Sequence, residues 1–296
     1  TRWRVAGLVE GMVEGGGRVS GYFTGASGTT IYRGDAYGPD MAGDAFIGDA
    51  GGNLVHRKKL RPTEDGLLLK GERAPDEQRS EFLASTDNWF RPVQFYNGPD
   101  GCLWVVDMYR ETIEHPWSIP ASLKARLDLD SGRERGRLWR LAPDGFRASA
   151  TRMSLSNTHT AALVATLAHS NGWHRDTAAR LLYERGDTNA VPALRTLLRN
   201  APLGVGRLHA LQALAGLRGL DSADLVHALA DADPAVRRHA VRLTADRNDE
   251  ELRTALLPLA MDSDPLVRLE LALAVARWPV LDRVKPLVEL ILRGPP

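Results

Sequence analysis

Asp233-Pro234-Ala235-Val236-Arg237 returns 31 residues later as Asp264-Pro265-Leu266-Val267-Arg268, and this repetition decides the fold of the second half of the chain. In each copy the aspartate can accept hydrogen bonds from the first free amides of a helix, and proline, which has no N–H to lose, suits the first turn. Both copies therefore start helices. The arginine that closes each copy belongs to a longer series, Arg175, Arg207, Arg237 and Arg268, spaced by 32, 30 and 31 residues. Three positions after each arginine comes a small or apolar residue: Ala178, Ala210, Ala240 and Leu271. Between these starts, residues 191–198, 222–230 and 250–261 carry apolar side chains at three- and four-residue spacing, the pattern of second helices. A two-helix repeat of this length cannot bury its apolar face alone, so neighbours must stack into a solenoid from about Ser154 onward.

Toward the N-terminus the composition changes. Of 28 glycines, 21 lie in residues 1–145, together with five of the seven tryptophans. Glycine at that density means many tight turns, and short aromatic or β-branched runs lie between them: residues 18–24, 30–33, 45–48, 53–56, 66–70, 90–96, 102–107 and 137–141. These predict antiparallel strands. Asn97-Gly98-Pro99-Asp100-Gly101 is a turn that should join two of them as a hairpin. The chain is thus mixed, all-β in 1–145 and all-α in 146–296. Pro116, Pro120 and the polar stretch Asp128–Arg135 mark a long excursion before the next strand, and long loops in β domains are where function usually sits.

Charge excludes little. Basic and acidic residues number 19 and 21 in the first 145 residues and 19 and 16 in the rest, so neither half has the excess that nucleic-acid binding demands. The single cysteine, Cys102, excludes an internal disulfide, a cysteine-rich zinc site and the CxxCH attachment of c-type haem. No apolar run is long enough to cross a bilayer, and Thr1-Arg2-Trp3-Arg4 is not followed by a signal-peptide core. Gly15-Gly16-Gly17 lacks the following Lys-Ser/Thr of a phosphate-binding loop and reads as a turn. His174, His209 and His239 sit one repeat apart, without the nearby partners that a metal site needs, and read as solvated or core histidines. The arginine series reads first as structural, bonding acids of the adjoining turn, and second as a lining for an acidic partner.

The DPxVR pattern resembles HEAT repeats and the related phycobilisome-lyase-type repeats over residues 154–293. The β half carries Glu81-Phe82-Leu83-Ala84-Ser85-Thr86-Asp87-Asn88-Trp89-Phe90-Arg91-Pro92-Val93, Gly98-Pro99-Asp100-Gly101, Val105-Val106-Asp107-Met108-Tyr109-Arg110-Glu111 and Ile113-Glu114-His115-Pro116. With Thr30-Ile31-Tyr32-Arg33-Gly34 and Gly52-Asn53-Leu54-Val55-His56-Arg57, these segments resemble the membrane-bound dehydrogenase-like, or PVC-type haem-binding, family. In that bacterial family a propeller similar to quinoprotein glucose/sorbosone dehydrogenases precedes HEAT repeats. The resemblance implies a partial β-propeller of two or three antiparallel blades and an extracytoplasmic, periplasmic setting. It also implies a quinone (PQQ) and calcium in the complete propeller and often a C-terminal cytochrome c. Here no CxxCH follows the repeats, and so few blades cannot surround a planar cofactor, so the expectation for this chain is neither haem nor tightly held quinone.

The candidate site gathers on the 107–120 loop. Asp107, Glu111 and Glu114 can accept from sugar hydroxyls, and Asp107 and Glu114 can ligate calcium, a hard cation that prefers oxygen. Arg91 and Arg110 can hold an anion through their planar forks, His115 can move a proton near neutral pH, and His56 is expected to face the same pocket. The competing reading is a salt-bridged loop, Asp107 to Arg110 and Arg110 to Glu114. For His56-Arg57 and Lys58-Lys59 the alternatives are a phosphate or acidic-partner patch and a solvated strand end. Two functions follow. One is part of a sugar- or alcohol-oxidising quinoprotein whose solenoid serves interaction; the other is a non-catalytic scaffold that binds carbohydrate or protein.

Overall fold

The computed structural model describes residues 23, 25–147, 154–245, 247 and 249–293. It divides into two compact units, one of residues 1–61 and 70–149, the other of 62–69 and 150–296. The first is built of β-sheets and the second of helices. The expected strand 18–24, the turn Gly15-Gly16-Gly17 and the segment Thr1-Arg2-Trp3-Arg4 lie outside the described residues, apart from Phe23.

The first unit holds two antiparallel sheets. One runs β1 (Ala26–Ile31), β2 (Ala45–Asp49), β3 (Leu54–Pro62) and β4 (Leu69–Glu72), with the two-residue β5 (Leu83–Ala84) also paired to β3. The other runs β6 (Pro92–Asn97), β7 (Leu103–Asp107) and β8 (Arg137–Leu141). Uniform four-stranded sheets were the expectation, whereas these have five and three strands among the described residues. The cause lies in β3. At nine residues it is long enough for β5 to pair with Leu54 and Val55 while β4 also pairs along it.

The hairpin forms where the turn chemistry places it. Gly98 N–H donates to the Cys102 carbonyl, Asp100 Oδ1 accepts from the Cys102 amide, and Gly101 takes φ +78°, a region costly for any residue with a Cβ. The two sheets meet over Tyr32, Phe46, Val55, Phe95, Leu103 and Val105, all buried. Ser27 Oγ donates to the Pro92 carbonyl at 2.6 Å, and Asn97 bridges the Arg33 amide and the Ile31 carbonyl. Gly28 permits this approach, since a Cβ there would stand 2.6 Å from the Val93 carbonyl oxygen.

After a short α1 (Ala121–Lys124), the helices of the second unit follow: α2 (Thr160–Thr166), α3 (Gly172–Arg185), α4 (Val191–Asn200), α5 (Gly204–Gly216) and α6 (Ser222–Leu229). Then come α7 (Pro234–Thr244), α8 (Glu250–Leu256), α9 (Pro265–Val275) and α10 (Val280–Arg293). Asp233 caps α7 through the Ala235 amide, and Asp264 caps α9 through those of Leu266 and Val267. The expected helix 250–261 finishes as a 3-10 turn, Leu257–Met261, because Pro258 offers no N–H to the carbonyl four residues back. Leucine, valine and alanine side chains from successive repeats form one continuous core.

The arginine series fastens this stack. Arg237 donates through Nε and Nη2 to both oxygens of Asp262, each at 2.7 Å, and through Nη1 to the carbonyls of Asp231 and Ala232. One repeat earlier, Arg207 makes the same fork to Asp231, at 2.7 Å on both arms, and reaches the carbonyls of Ala201 and Pro202. Arg175 and Arg268 keep the carbonyl half of the pattern, at His169 and Ser170 and at Asp262. Asp231 and Asp262 each also accept the amide two residues on, so one carboxylate joins two repeats and starts the next helix.

Burial is the largest single influence on the Asp231 and Asp262 carboxyls and pushes their pKa values upward. The arginine forks and amide donors together outweigh it, and both end below the usual aspartate value. A folded-state pKa below that of the unfolded chain, near ~3.9, gives stability that is complete above that value and is lost as pH falls through the folded pKa. Urea melts should therefore show the solenoid weakening in that acid window. Asp262→Asn should cost about 3 kcal/mol at neutral pH and flatten the acid slope, and an unchanged slope in the variant would refute the assignment.

Candidate functional site

β7 ends at Asp107, whose side chain is wholly buried. Its Oδ1 accepts from the amides of Arg91 (2.8 Å) and Tyr109 (2.9 Å), and its Oδ2 from Arg137 Nε (2.8 Å) and Trp139 Nε1 (3.0 Å). A carboxylate has about four lone-pair directions, and all are taken by N–H donors. The Asp107–Tyr109 bond bends the chain sharply, and Tyr109 adopts φ +51°. Arg137 lies 3.7 Å over the Tyr109 ring and 4.9 Å from the Trp139 ring, and reaches Asp87 at 3.3 Å.

Arg91, 1% exposed, holds the other side of this knot. Its Nε, Nη1 and Nη2 donate to the carbonyls of Arg110, Ala50 and Glu111, at 2.7–2.8 Å. Burial lowers the pKa of this guanidinium from its usual value, against the opposing pull of Glu114, Asp107, Asp87 and Asp49. Each of its three nitrogens donates to a main-chain carbonyl. It ties the end of β2 to the loop beyond β7.

The remaining members of the expected pocket separate. Arg110 donates through Nη1 to the Asp130 carbonyl. Glu111 contributes its carbonyl to Arg91. Glu114 Oε2 accepts from the Ile113 amide. His115 is exposed and caps the turn Pro116–Ser118, its Nδ1 accepting from the Trp117 amide. His56 does not join this group; its buried ring engages Glu81 Oε2 through Nδ1 at 2.5 Å, and Glu81 Oε1 accepts from Arg73 at 2.7 Å. Burial pushes the Glu81 carboxyl upward, but Arg73 and His56 more than offset it and hold it below the usual value.

The hydrogen bonds of the expected pocket residues form two sets. One is the Asp107–Arg91–Arg137 knot and the other the His56–Glu81–Arg73 chain. Asp107, expected to pair with Arg110, meets Arg137 of β8 instead. Nothing in the local sequence marks Arg137, but the β7–β8 register sets it directly opposite Asp107. Arg57 and Lys59 are not a solvated strand end either: Arg57 is buried and paired with Asp76, Glu77 and, more distantly, Asp44, while Lys59 pairs with Asp44.

A calcium ion at Asp107 would have to displace hydrogen bonds already made there. Among the described residues, no three His, Cys, Asp or Glu side chains gather as a metal site. In the solenoid, His239 shares a hydrogen bond with Gln212, and burial lowers its pKa, reinforced by Arg238 and Arg242 and opposed by Glu270.

Two family models match the chain. One, a domain of unknown function (DUF7133), covers residues 4–145, and the other, HEAT repeats, covers residues 222–296. Residues 222–296 of the solenoid thus match HEAT repeats, a module that commonly mediates protein interaction. Neither description names a dehydrogenase or a haem protein. No curated protein matches the chain. Among the described residues, no helix is long and apolar enough to cross a membrane.

The knot makes a direct prediction. Asp107→Asn removes the charge that faces Arg137 and replaces an acceptor with a donor aimed at other donors, and should cost about 3–5 kcal/mol in urea unfolding. His115→Ala, at an exposed turn, should stay within about 0.5 kcal/mol of the parent. A mild Asp107→Asn would show that the knot is not structural.

Proposed function

We propose that this chain is a binding scaffold, in which a pair of propeller-type blades is joined to a HEAT solenoid that docks a helical segment of a partner protein. The blade reading is supported by two successive antiparallel sheets packed face to face within the first unit. The observation that carries the scaffold reading is α10. Leu281, Val284, Val288 and Ile291 follow a three-four-three spacing and are 88%, 53%, 43% and 78% exposed. Helices α5 and α7 turn residues such as Leu211, Leu214, Val236 and Val241 into the common core, where they are buried. A stripe of the same kind left in solvent fits an amphipathic helix that continues the stacking, bound by its own apolar i, i+3, i+4, i+7 face.

A photo-crosslinking amino acid at Val288, introduced in the producing cell, should capture one defined protein. Leu281→Glu with Val284→Glu should abolish that capture while leaving the melting temperature unchanged. Capture no stronger than from a control position at Arg180, or capture indifferent to the two glutamates, would overturn the scaffold reading.

One observation favours a second, enzymatic proposal, that of a sugar- or alcohol-oxidising protein. The Glu81 bond to His56 Nδ1 orients the imidazole, and a ring that donates from Nδ1 would present Nε2 as an acceptor toward a substrate hydroxyl. Dye-linked oxidation of sugars or alcohols, measured with PQQ and calcium supplied, should then be lost in His56→Gln. Turnover equal in parent and variant would exclude that role.

A further inference from the structure

On β3, alternate residues share a face, and Arg57, Lys59 and Arg61 form a row of cations along one side of that strand. They line a cleft of about 480 Å³ within the first unit, opposite Pro39, Asp40, Ala42, Gly43, Asp44 and Asp76. That volume lies within the range of small-molecule sites. None of the functions above uses it.

The inner end of the cleft is fixed. The Arg57 side chain is 7% exposed and braced by Glu77 at 3.0 Å, and Lys59 Nζ donates to the Asp40 carbonyl at 2.7 Å and to Asp44 Oδ2 at 3.2 Å. The outer end is open. Arg57 Nη2 meets Asp76 at 2.8 Å, but the Asp76 side chain is 74% exposed and free to exchange with another anion. Arg61 is exposed and makes no ion pair among the described residues. Cations on one wall and carboxylates on the other ask for a ligand that both accepts from guanidinium and ammonium groups and donates to carboxylates. A bare inorganic anion satisfies the first wall only, and a neutral polyol leaves Arg61 with nothing to bind.

We propose that this cleft is a binding site for an anionic polyol, a monosaccharide that carries a carboxylate or a phosphate. Its anionic group lies between Arg61 and Arg57, in the place of Asp76, and its hydroxyls donate to Asp40 and Asp44. An arginine fork suits either kind of anion, since both present paired oxygens. The site is separate from the His56–Glu81 pair, whose face of β3 alternates with that of Arg57.

Titration calorimetry on the full chain with D-glucuronate, glucose 6-phosphate, glucose and inorganic phosphate tests this. At least one of the two anionic sugars should saturate the protein and bind at least tenfold more tightly than glucose and than phosphate. The tighter of the two identifies the anion. Arg61→Ala should weaken that binding at least tenfold, whereas Arg126→Ala, at an exposed position outside the cleft, should not change it. Arg61 is exposed, so its loss should leave the melting temperature intact. No saturation by either sugar, glucose binding as tightly as its charged forms, phosphate alone matching glucose 6-phosphate, or Arg61→Ala binding like the parent would each overturn the proposal.

Discussion

A buried guanidinium that satisfies main-chain carbonyls is the constraint on which both units rest. Folding a loop against a sheet or a helix end against its neighbour strips carbonyl oxygens of water, and each must find a donor or the segment cannot be buried. Arginine supplies several donors in one rigid plane. Arg91 distributes three of them to Ala50, Arg110 and Glu111, which converts a strand end and a distant loop into one piece. Arg207 and Arg237 do the same for the ends of helices and use their remaining arms on Asp231 and Asp262. In the knot the carboxylate partner of the β unit is Asp107, which accepts the Arg91 amide while Arg137 neutralises its charge.

This constraint separates the polar groups that hold the fold from those that remain open to a ligand. A charged residue in a loop can look equally functional in either case until its hydrogen bonds are followed to their ends. Asp107 and Arg91 end entirely inside the protein. Arg61 and Asp76 end in solvent, and the row on β3 is where charge and open space coincide. The solenoid shows the same division in apolar form: Leu211 and Val241 are buried among other helices, while Leu281 and Ile291 are not.

How much was legible in the sequence follows the range of each interaction. Asp233 and Asp264 cap helices two and three residues away, so their role is written in five consecutive letters. The Asn97–Gly101 turn is equally local. Asp107 with Arg137 spans 30 residues and His56 with Glu81 spans 25, and neither pairing can be read without the strand register that creates it. The sequence correctly marked 107–114 as dense in charge, but loop charges close in sequence are not thereby partners: Arg110 turns to the Asp130 carbonyl. The arginine series was visible as a period, and its acids were foreseen as belonging to an adjoining turn. That one carboxylate would serve both a fork and a helix start needed the geometry.

The forks of Arg207 and Arg237 reach acids 24 and 25 residues ahead with the same 2.7 Å arms, so each links a repeat only to its immediate successor. These two matched nearest-neighbour couplings behave mechanically as two equal springs in series. Curvature can then be adjusted at one joint without disturbing the next. A gene that duplicates the unit holding Arg207 and Asp231, or Arg237 and Asp262, passes on a working joint with it, because each fork needs only an acid about 25 residues ahead.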